Sequence, residues 1–395
     1  MTLAGAGLTR VRFAFFAVIA AFMAGCSGGG SSGGGAVDSG VTLSLVETVS
    51  MASGATSGIY TVDAPSGEGS LTIIADGGDT ADMDISNLTD PSGFRMVSED
   101  PNAFPIGVNL AQGYGQSAVA FTVPHSGDYS FTPGQWQFQI THYASPDGAP
   151  RDVSIYTIVK NGPGTVINVN VWLVAMSDYA GSSDPNLTVM LDEFKRILAG
   201  AGFTVGDVQI KELTGSQAER LTLMDMTTDA NNNDWPDDMD ELFRLSSQAG
   251  NDYMNLFLVR HMSGGGILGM AGGIPGPQLI QGTAHSGVAV NMMGGLTRMT
   301  EAHLLLQGAT MAHELGHFLG LFHPTESDGA QFDPISDTPE CPASQYDSDH
   351  DGQVTAEECQ QAGGDNLMFW AAASFTQEQV SGMQRKVISL NPAVR

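Results

Sequence analysis

Positive charge is scarce in this chain: its 395 residues hold 15 Lys and Arg against 43 Asp and Glu, a formal net charge of −28. A surface so acidic repels phosphate, which removes nucleic acid from the expected partners and suits divalent cations. Cysteine is scarcer still, with only Cys26, Cys341 and Cys359. Long hydrophobic runs are also missing. The one extended apolar stretch, VRFAFFAVIAAFMAG near the N-terminus, is too short to span a bilayer as a stable helix. What remains is a chain with 42% hydrophobic residues, long enough for two ordinary domains with their own cores.

Arg10 and Arg12 stand at the head of that stretch, whose end, Met23-Ala24-Gly25, leads into Cys26. The arrangement resembles a bacterial lipoprotein signal, implying that residues 1–25 are removed and Cys26 is lipidated. The SGGGSSGGG run that follows supplies a flexible tether over residues 26–40. The expectation is an exported lipoprotein, at the outer membrane or cell surface, that meets the membrane through its anchor at Cys26.

Residues 41–162 lack helical periodicity. Short β-rich runs (SLTIIAD, SAVAFTV, DYSFT, WQFQIT, VSIYTIV) alternate with Gly, Pro and Asp turns, which predicts an antiparallel β-sandwich. The stretch TVPHSGDYSF is similar to hairpins of sandwich domains that accompany secreted bacterial peptidases. His125 and His142 read as structural or exposed. A boundary falls near Asn161-Gly162-Pro163-Gly164, and the run VINVNVWLVA after it predicts a strand buried on both faces. Asp184-Pro185 opens a helix with Leu187, Leu191, Phe194 and Leu198 on one face and Gly200 at its close, and FTVGDVQIKEL supplies a second strand. This order makes residues 163–395 an α/β or α+β domain. DANNNDWPDDMDEL, from Asp229, partly fits a calcium loop but reads better as a solvated turn before a helix. YMNLFLVR is a further strand, followed by the Gly-rich HMSGGGILGMAGGIPGP, where glycine permits close approach of another group. His261 and His285 stay unassigned.

The stretch HELGHFLGLFH, residues 313–323, carries the chemistry. It continues the helical run EAHLLLQGATMA, so His313 and His317 stand one turn apart on one face. Gly320 can take φ > 0 and end the helix, returning His323 as a third nitrogen. Three neutral ligands fit tetrahedral zinc with one position open to water, whose acidity the metal raises. Glu314, beside a ligand, is placed to take that proton as general base and return it to the leaving amine. His303, outside the spacing, reads as structural.

On these residues the chain resembles the metzincin metalloproteases, whose zinc motif is HExxHxxGxxH. The resemblance implies an α+β catalytic domain with a mixed twisted sheet, an active-site helix and an irregular C-terminal subdomain. It makes Met368, in Asp365-Asn366-Leu367-Met368, the methionine turn beneath the metal. Asp337-Thr338-Pro339 and the tail SFTQEQVSGMQR resemble the DTP element and C-terminal helix of the pappalysin-like (cytophagalysin) group. NLFLVR and LGMAGGIPGP resemble its edge strand and following loop, implying that extended substrate pairs there. Trp370 stands where many members have tyrosine, which leaves a tyrosine-assisted mechanism without its residue. Ala371, Ala372, Ala373 and Phe375 follow the methionine turn where the family places its specificity wall, so an apolar preference is expected. A cysteine switch is not expected, because the one cysteine upstream of the domain is Cys26.

DSDHDGQVTAEE, between Cys341 and Cys359, satisfies an EF-hand loop pattern. Asp347, Asp349 and Asp351 fill positions 1, 3 and 5, Gln353 offers its carbonyl at 7, and Thr355 and Glu358 stand at 9 and 12. The two cysteines form an even pair in an oxidising compartment, and a bridge between them would contribute roughly 3 kcal/mol. No second loop pairs with this one, so calcium is expected to order the subdomain rather than to signal. The expected protein is a monomeric, calcium-stabilised zinc endopeptidase acting on protein or peptide substrates. The alternative is a calcium-dependent surface-binding lipoprotein with a latent or inactive zincin domain.

Overall fold

The computed structural model describes residues 40–78, 80–97, 116–176, 180–181, 183–230 and 236–395. The expected signal peptide, Cys26 and the tether before Gly40 lie outside the described residues. Among the described residues no helix is long and apolar enough to cross a membrane. Residues 39–395 make one compact unit.

The first part holds β1 (Val41–Met51), β2 (Ala55–Thr56), β3 (Tyr60–Ala64), β4 (Gly69–Asp76), β5 (Asp82–Thr89), β6 (Arg95–Val97), β7 (Ala118–Val123), β8 (Gly134–Ala144) and β9 (Arg151–Asn161). They form two antiparallel sheets, one ordered β1-β9-β4-β7 and one ordered β2-β8-β5-β6, with β3 also on β8. Alternation sends Leu71, Ile73, Phe121 and Ile155 from the first sheet and Met83, Ile85, Trp136 and Phe138 from the second into one shared apolar core. The run DYSFT, expected as a strand, is a loop between β7 and β8. Pro124 and Pro133 bracket it and remove ladder donors, and its side chains turn to other partners: Tyr129 Oη donates to Asp90 at 3.2 Å.

The second part runs β10 (Val166–Val174), α1 (Pro185–Gly200), β11 (Thr204–Leu213), α2 (Ser216–Arg220), β12 (Leu223–Met224), α3 (Asp237–Arg244), β13 (Met254–Val259), β14 (His261–Met262), β15 (Gly269–Ala271), β16 (Val288–Asn291), α4 (Glu301–Phe318), α5 (Ala343–Tyr346) and α6 (Gly382–Leu390). Its main sheet is ordered β11-β10-β13-β16-β15, parallel except for β15, which is antiparallel to β16. NLFLVR is therefore not the edge strand that the resemblance implied. It forms interior β13, buried along its whole length, and the sheet's edges are β11 and, inside the Gly-rich run, β15. Asp184 caps α1 as expected, accepting from the Asn186 and Leu187 amides. The buried face of α1 is Leu187, Met190, Phe194, Ile197 and Leu198; Leu191 is half-buried, the helix closes at Gly200 as expected, and the left-handed turn after it falls on Gly202 (φ 92°).

Helix α4 crosses α1 closely, since a Cβ on Gly308 would meet the Met190 carbonyl at 2.7 Å. This close crossing seats the zinc-motif helix against the main core. Helix α6 opens with a full capping box, Ser381 with Gln384, so the expected C-terminal helix starts at Gly382 and SFTQEQV leads into it as irregular chain. The two parts are also clasped. Lys160, at the end of β9, is 1% exposed, and its Nζ donates to the carbonyls of Ser389 (2.7 Å), Asn391 (2.8 Å) and Val394. Ser70 donates to the Leu390 carbonyl at 2.5 Å.

Candidate metal centre and cleft

Thr300 caps α4 by accepting from the His303 amide, and eighteen helical residues carry the chain to Phe318. His313 and His317 lie on one face of α4, and Gly320 (φ 107°) turns the chain so that His323 returns to them. The three rings bring one nitrogen each to within 4.8 Å of one another. His317 Nε2 and His323 Nε2 are 3.1 Å apart, close to the ~3.3 Å that two nitrogens span on a tetrahedral zinc with bonds of about 2.0–2.1 Å.

Each ring is oriented through its other nitrogen. His313 Nδ1 donates to the Leu367 carbonyl and His317 Nδ1 to the Leu321 carbonyl, both at 2.7 Å, while His323 Nδ1 lies 3.0 Å from both oxygens of Glu326. That is the outer shell which fixes ring direction and frees Nε2 for a cation. Burial holds His317 well below the ordinary histidine range and brings His313 down to about 4, so both are unprotonated at neutral pH. The donor set fits zinc.

Glu314, 8% exposed, sits beside the triad under the edge strand. Burial pushes its carboxyl up to about 8, against the Ala271 backbone amide, which donates to it and pulls the other way. Gly269 is the condition for this placement, since a Cβ there would lie 2.6 Å from Glu314 Cγ. Met368 is fully buried beneath the helix, and a Cβ on Gly316 would meet its Sδ at 2.4 Å. Glycine between the two helical histidines thus admits the methionine.

A cleft of about 760 Å³ opens over the site. Its walls include β15 on one side and Phe369, Trp370, Ala371 and Ala372 on the other, and Glu314 is the one carboxylate in its lining. Ala373 and Phe375, expected in the same wall, pack instead on a satellite core around Cys341, Val354, Ala356 and Cys359. The Trp370 indole points its N–H away from the metal centre, donating to the Val354 carbonyl at 2.7 Å.

Cys341 and Cys359 form the expected disulfide. Within the loop they enclose, Asp347, Asp349 and Glu358 come together. Asp351 is not in that cluster and accepts from the Gln353 amide at 2.8 Å, while the Thr355 amide and hydroxyl donate to Glu358 at 2.9 and 3.0 Å. Asp347 Oδ1 is buried without a hydrogen-bond partner. Of the second acidic stretch, Asn231 and Asn233 lie outside the described residues, and Asp237 and Asp240 fall in α3. His142 is a buried structural residue bonded to the Met51 and Ala144 carbonyls, and His285 is buried away from the triad.

Several groups in the site carried no motif. The Leu321 and Leu367 carbonyls and the Ala271 amide are backbone, which sequence does not mark. Glu326 offered a faint signal, a carboxylate three residues beyond His323.

Residues 243–388 match the model of peptidase family M43, described as pregnancy-associated plasma protein-A, a pappalysin family among the metzincins. No curated protein matches the chain. Among solved structures, mirolysin in complex with a compound is similar at 17% identity over 58% of this chain and 97% of its own, with a TM-score of 0.30. The periplasmic inhibitor of g-type lysozyme PliG from Aeromonas hydrophila is similar at 16% identity over 32% and 90%, with a TM-score of 0.19. The family match and the histidine triad together support a zinc metalloendopeptidase.

Proposed function

We propose that this zinc metallopeptidase is a lipid-anchored, calcium-stabilised endopeptidase in which Glu314 is the general base. The observation that carries the reading is the convergence of three outward-oriented imidazole nitrogens beside a buried carboxylate at the floor of one cleft. His313, His317 and His323 would hold the zinc, which supplies Lewis acidity toward a scissile carbonyl and an attacking water. Glu314 takes the proton from the water and delivers it to the departing amine. Burial alone favours the protonated form of this carboxyl, and a dication held by the adjacent triad would favour its charged form. The outer edge of β15, apart from the Ala271 amide that Glu314 engages, offers its main-chain groups to an extended peptide, and the Phe369–Ala372 wall favours apolar side chains. Trp370 contributes to that wall by packing, its N–H being engaged elsewhere.

Calcium is assigned to the loop from Asp347 to Glu358, with Asp347, Asp349 and Glu358 as its carboxylates and Asp351, Gln353 and Thr355 drawn in on binding. Support comes from the orphaned Asp347 Oδ1. The loop reaches the cleft wall through Val354, whose carbonyl holds Trp370, while Glu357 ties it to the chain beyond that wall by accepting from Ser374. Residues 41–162 serve as an accessory β-sandwich, and Cys26 anchors the exported protein.

The test is cleavage of a mixed peptide library by residues 37–395, with Glu314→Ala in parallel and products identified by mass spectrometry. Cuts that require Glu314, with apolar residues following the scissile bond, are expected. A folded, zinc-loaded protein that cuts nothing would favour the alternative, a calcium-dependent surface-binding lipoprotein.

A further inference from the structure

At the third histidine the chain passes between two apolar cores. Leu321 is fully buried in the core of the main sheet, and its neighbour Phe322 packs against the core shared by the two N-terminal sheets. His323 follows directly. Three consecutive residues thus supply the carbonyl that orients His317, an anchor in the N-terminal sheets, and a metal ligand. His323 is the one triad member outside α4, so no helical ladder fixes it. Its side-chain partner Glu326 is 42% exposed and holds it only through a solvent-facing contact.

A second tie lies a few residues on. Asp128, in the loop between β7 and β8, accepts from the Ser336 amide at 2.8 Å and hydroxyl at 2.6 Å. The same loop meets α6, where Lys386 Nζ donates to the Gly127 carbonyl at 3.1 Å, and a Cβ on Gly127 would lie 2.4 Å from Met383 Cβ. Both ends of the segment between His323 and the DTP element are therefore held by residues 41–161.

We infer that the two N-terminal sheets are a positioning element of the metal centre, with Phe322 as the positioning residue that fixes His323. The inference rests on the zinc reading above. An unanchored ligand segment loses conformational freedom when it binds the metal, whereas an anchored one has already lost it on folding. Removing the anchor should therefore weaken zinc retention while the helical histidines stay in place.

The experiment uses the full chain. Zinc release into excess chromogenic chelator is timed for wild type, Phe322→Ala, Phe322→Leu, Asp128→Ala and, as a control, Phe138→Leu, which cuts into the same N-terminal core; Tm is measured for each. Phe322→Ala is expected to release zinc roughly 10–100-fold faster. Phe322→Leu should stay near wild type, Asp128→Ala should fall between, and Phe138→Leu should lower Tm with wild-type release. Release from Phe322→Ala that equals wild type, or equals the control at matched Tm, overturns the inference. Should Phe322→Ala fail to fold, Asp128→Ala at the wild-type rate overturns it equally. A wild type that takes up no zinc overturns the zinc reading itself, whereas wild-type uptake with indifferent variants overturns this inference alone.

Discussion

Gly269→Ala is the sharpest perturbation of the catalytic geometry that leaves every motif residue in place. The backbone at Gly269 is not left-handed, so alanine meets no conformational obstacle there. Its Cβ would stand 2.6 Å from Glu314 Cγ and 2.8 Å from Oε1. Ordinary contact begins near 3.4 Å, so the carboxylate must retreat by about 0.8 Å or the strand must move outward. A base that works at ~2.6–3.2 Å from its proton leaves that range after such a retreat, and misplacement on this scale lowers turnover by about 10²-fold. The alternative relief is distinguishable. β15 is held through three residue pairs with β16, and an outward shift would disturb substrate pairing and raise KM instead. The assay is steady-state cleavage of a good peptide from the library, with zinc content and Tm measured alongside. A fall in kcat at constant KM, zinc and Tm supports the geometry. A variant within threefold of wild type in both constants would refute it.

Gly316→Ala drives a methyl into Met368 Sδ and should destabilise by roughly 1–3 kcal/mol, with partial recovery in Gly316→Ala/Met368→Ala; differential scanning calorimetry decides, and no recovery argues against their contact. Asp333 is pushed up to about 7, chiefly by burial and then by the charges of Asp337 and Glu340, against the Thr338 hydroxyl and Ile335 amide. Its folded pKa exceeds its unfolded one, so its contribution is fully present below about pH 4 and is lost as pH rises through 7. Urea titrations from pH 4 to 8 should show this slope flattened in Asp333→Asn, and parallel curves would contradict it. Replacing Cys341 and Cys359 by serine removes a link across 18 residues, worth about 3 kcal/mol in the chain-entropy view. Proteolysis within 341–359 should accelerate while the remainder of the fold persists, and unchanged protection would count against a supporting role.

The readable parts of this molecule were those where side-chain type determines geometry. The histidine spacing and Gly320 specified a helix, its end and the ring cluster, and Asp184-Pro185 specified the start of α1. The edge strand escaped because Gly269-Met270-Ala271 carries no β signal; its role comes from pairing with β16 and from the room that glycine leaves for Glu314. The interior place of β13 was in principle visible, since MNLFLV lacks the polar alternation of a half-exposed strand. DYSFT misled because its alternation serves a loop whose side chains bind other segments. The role of Phe322 had no local sign at all, because it depends on a core assembled from residues between Met51 and Val159, more than 160 positions earlier.

Lys160 gives the architecture an order in time. Its ammonium waits at the end of β9 for carbonyls 229 to 234 residues further along the chain, and contacts of that separation close late. A chain that stops short of Ser389 would bury a cation with no acceptor, a penalty on the order of several kcal/mol. Such a chain could fold its sheets only by leaving this corner open to water and to proteases. The clasp thus makes the stability of the N-terminal sheets depend on the carbonyls of Ser389, Asn391 and Val394.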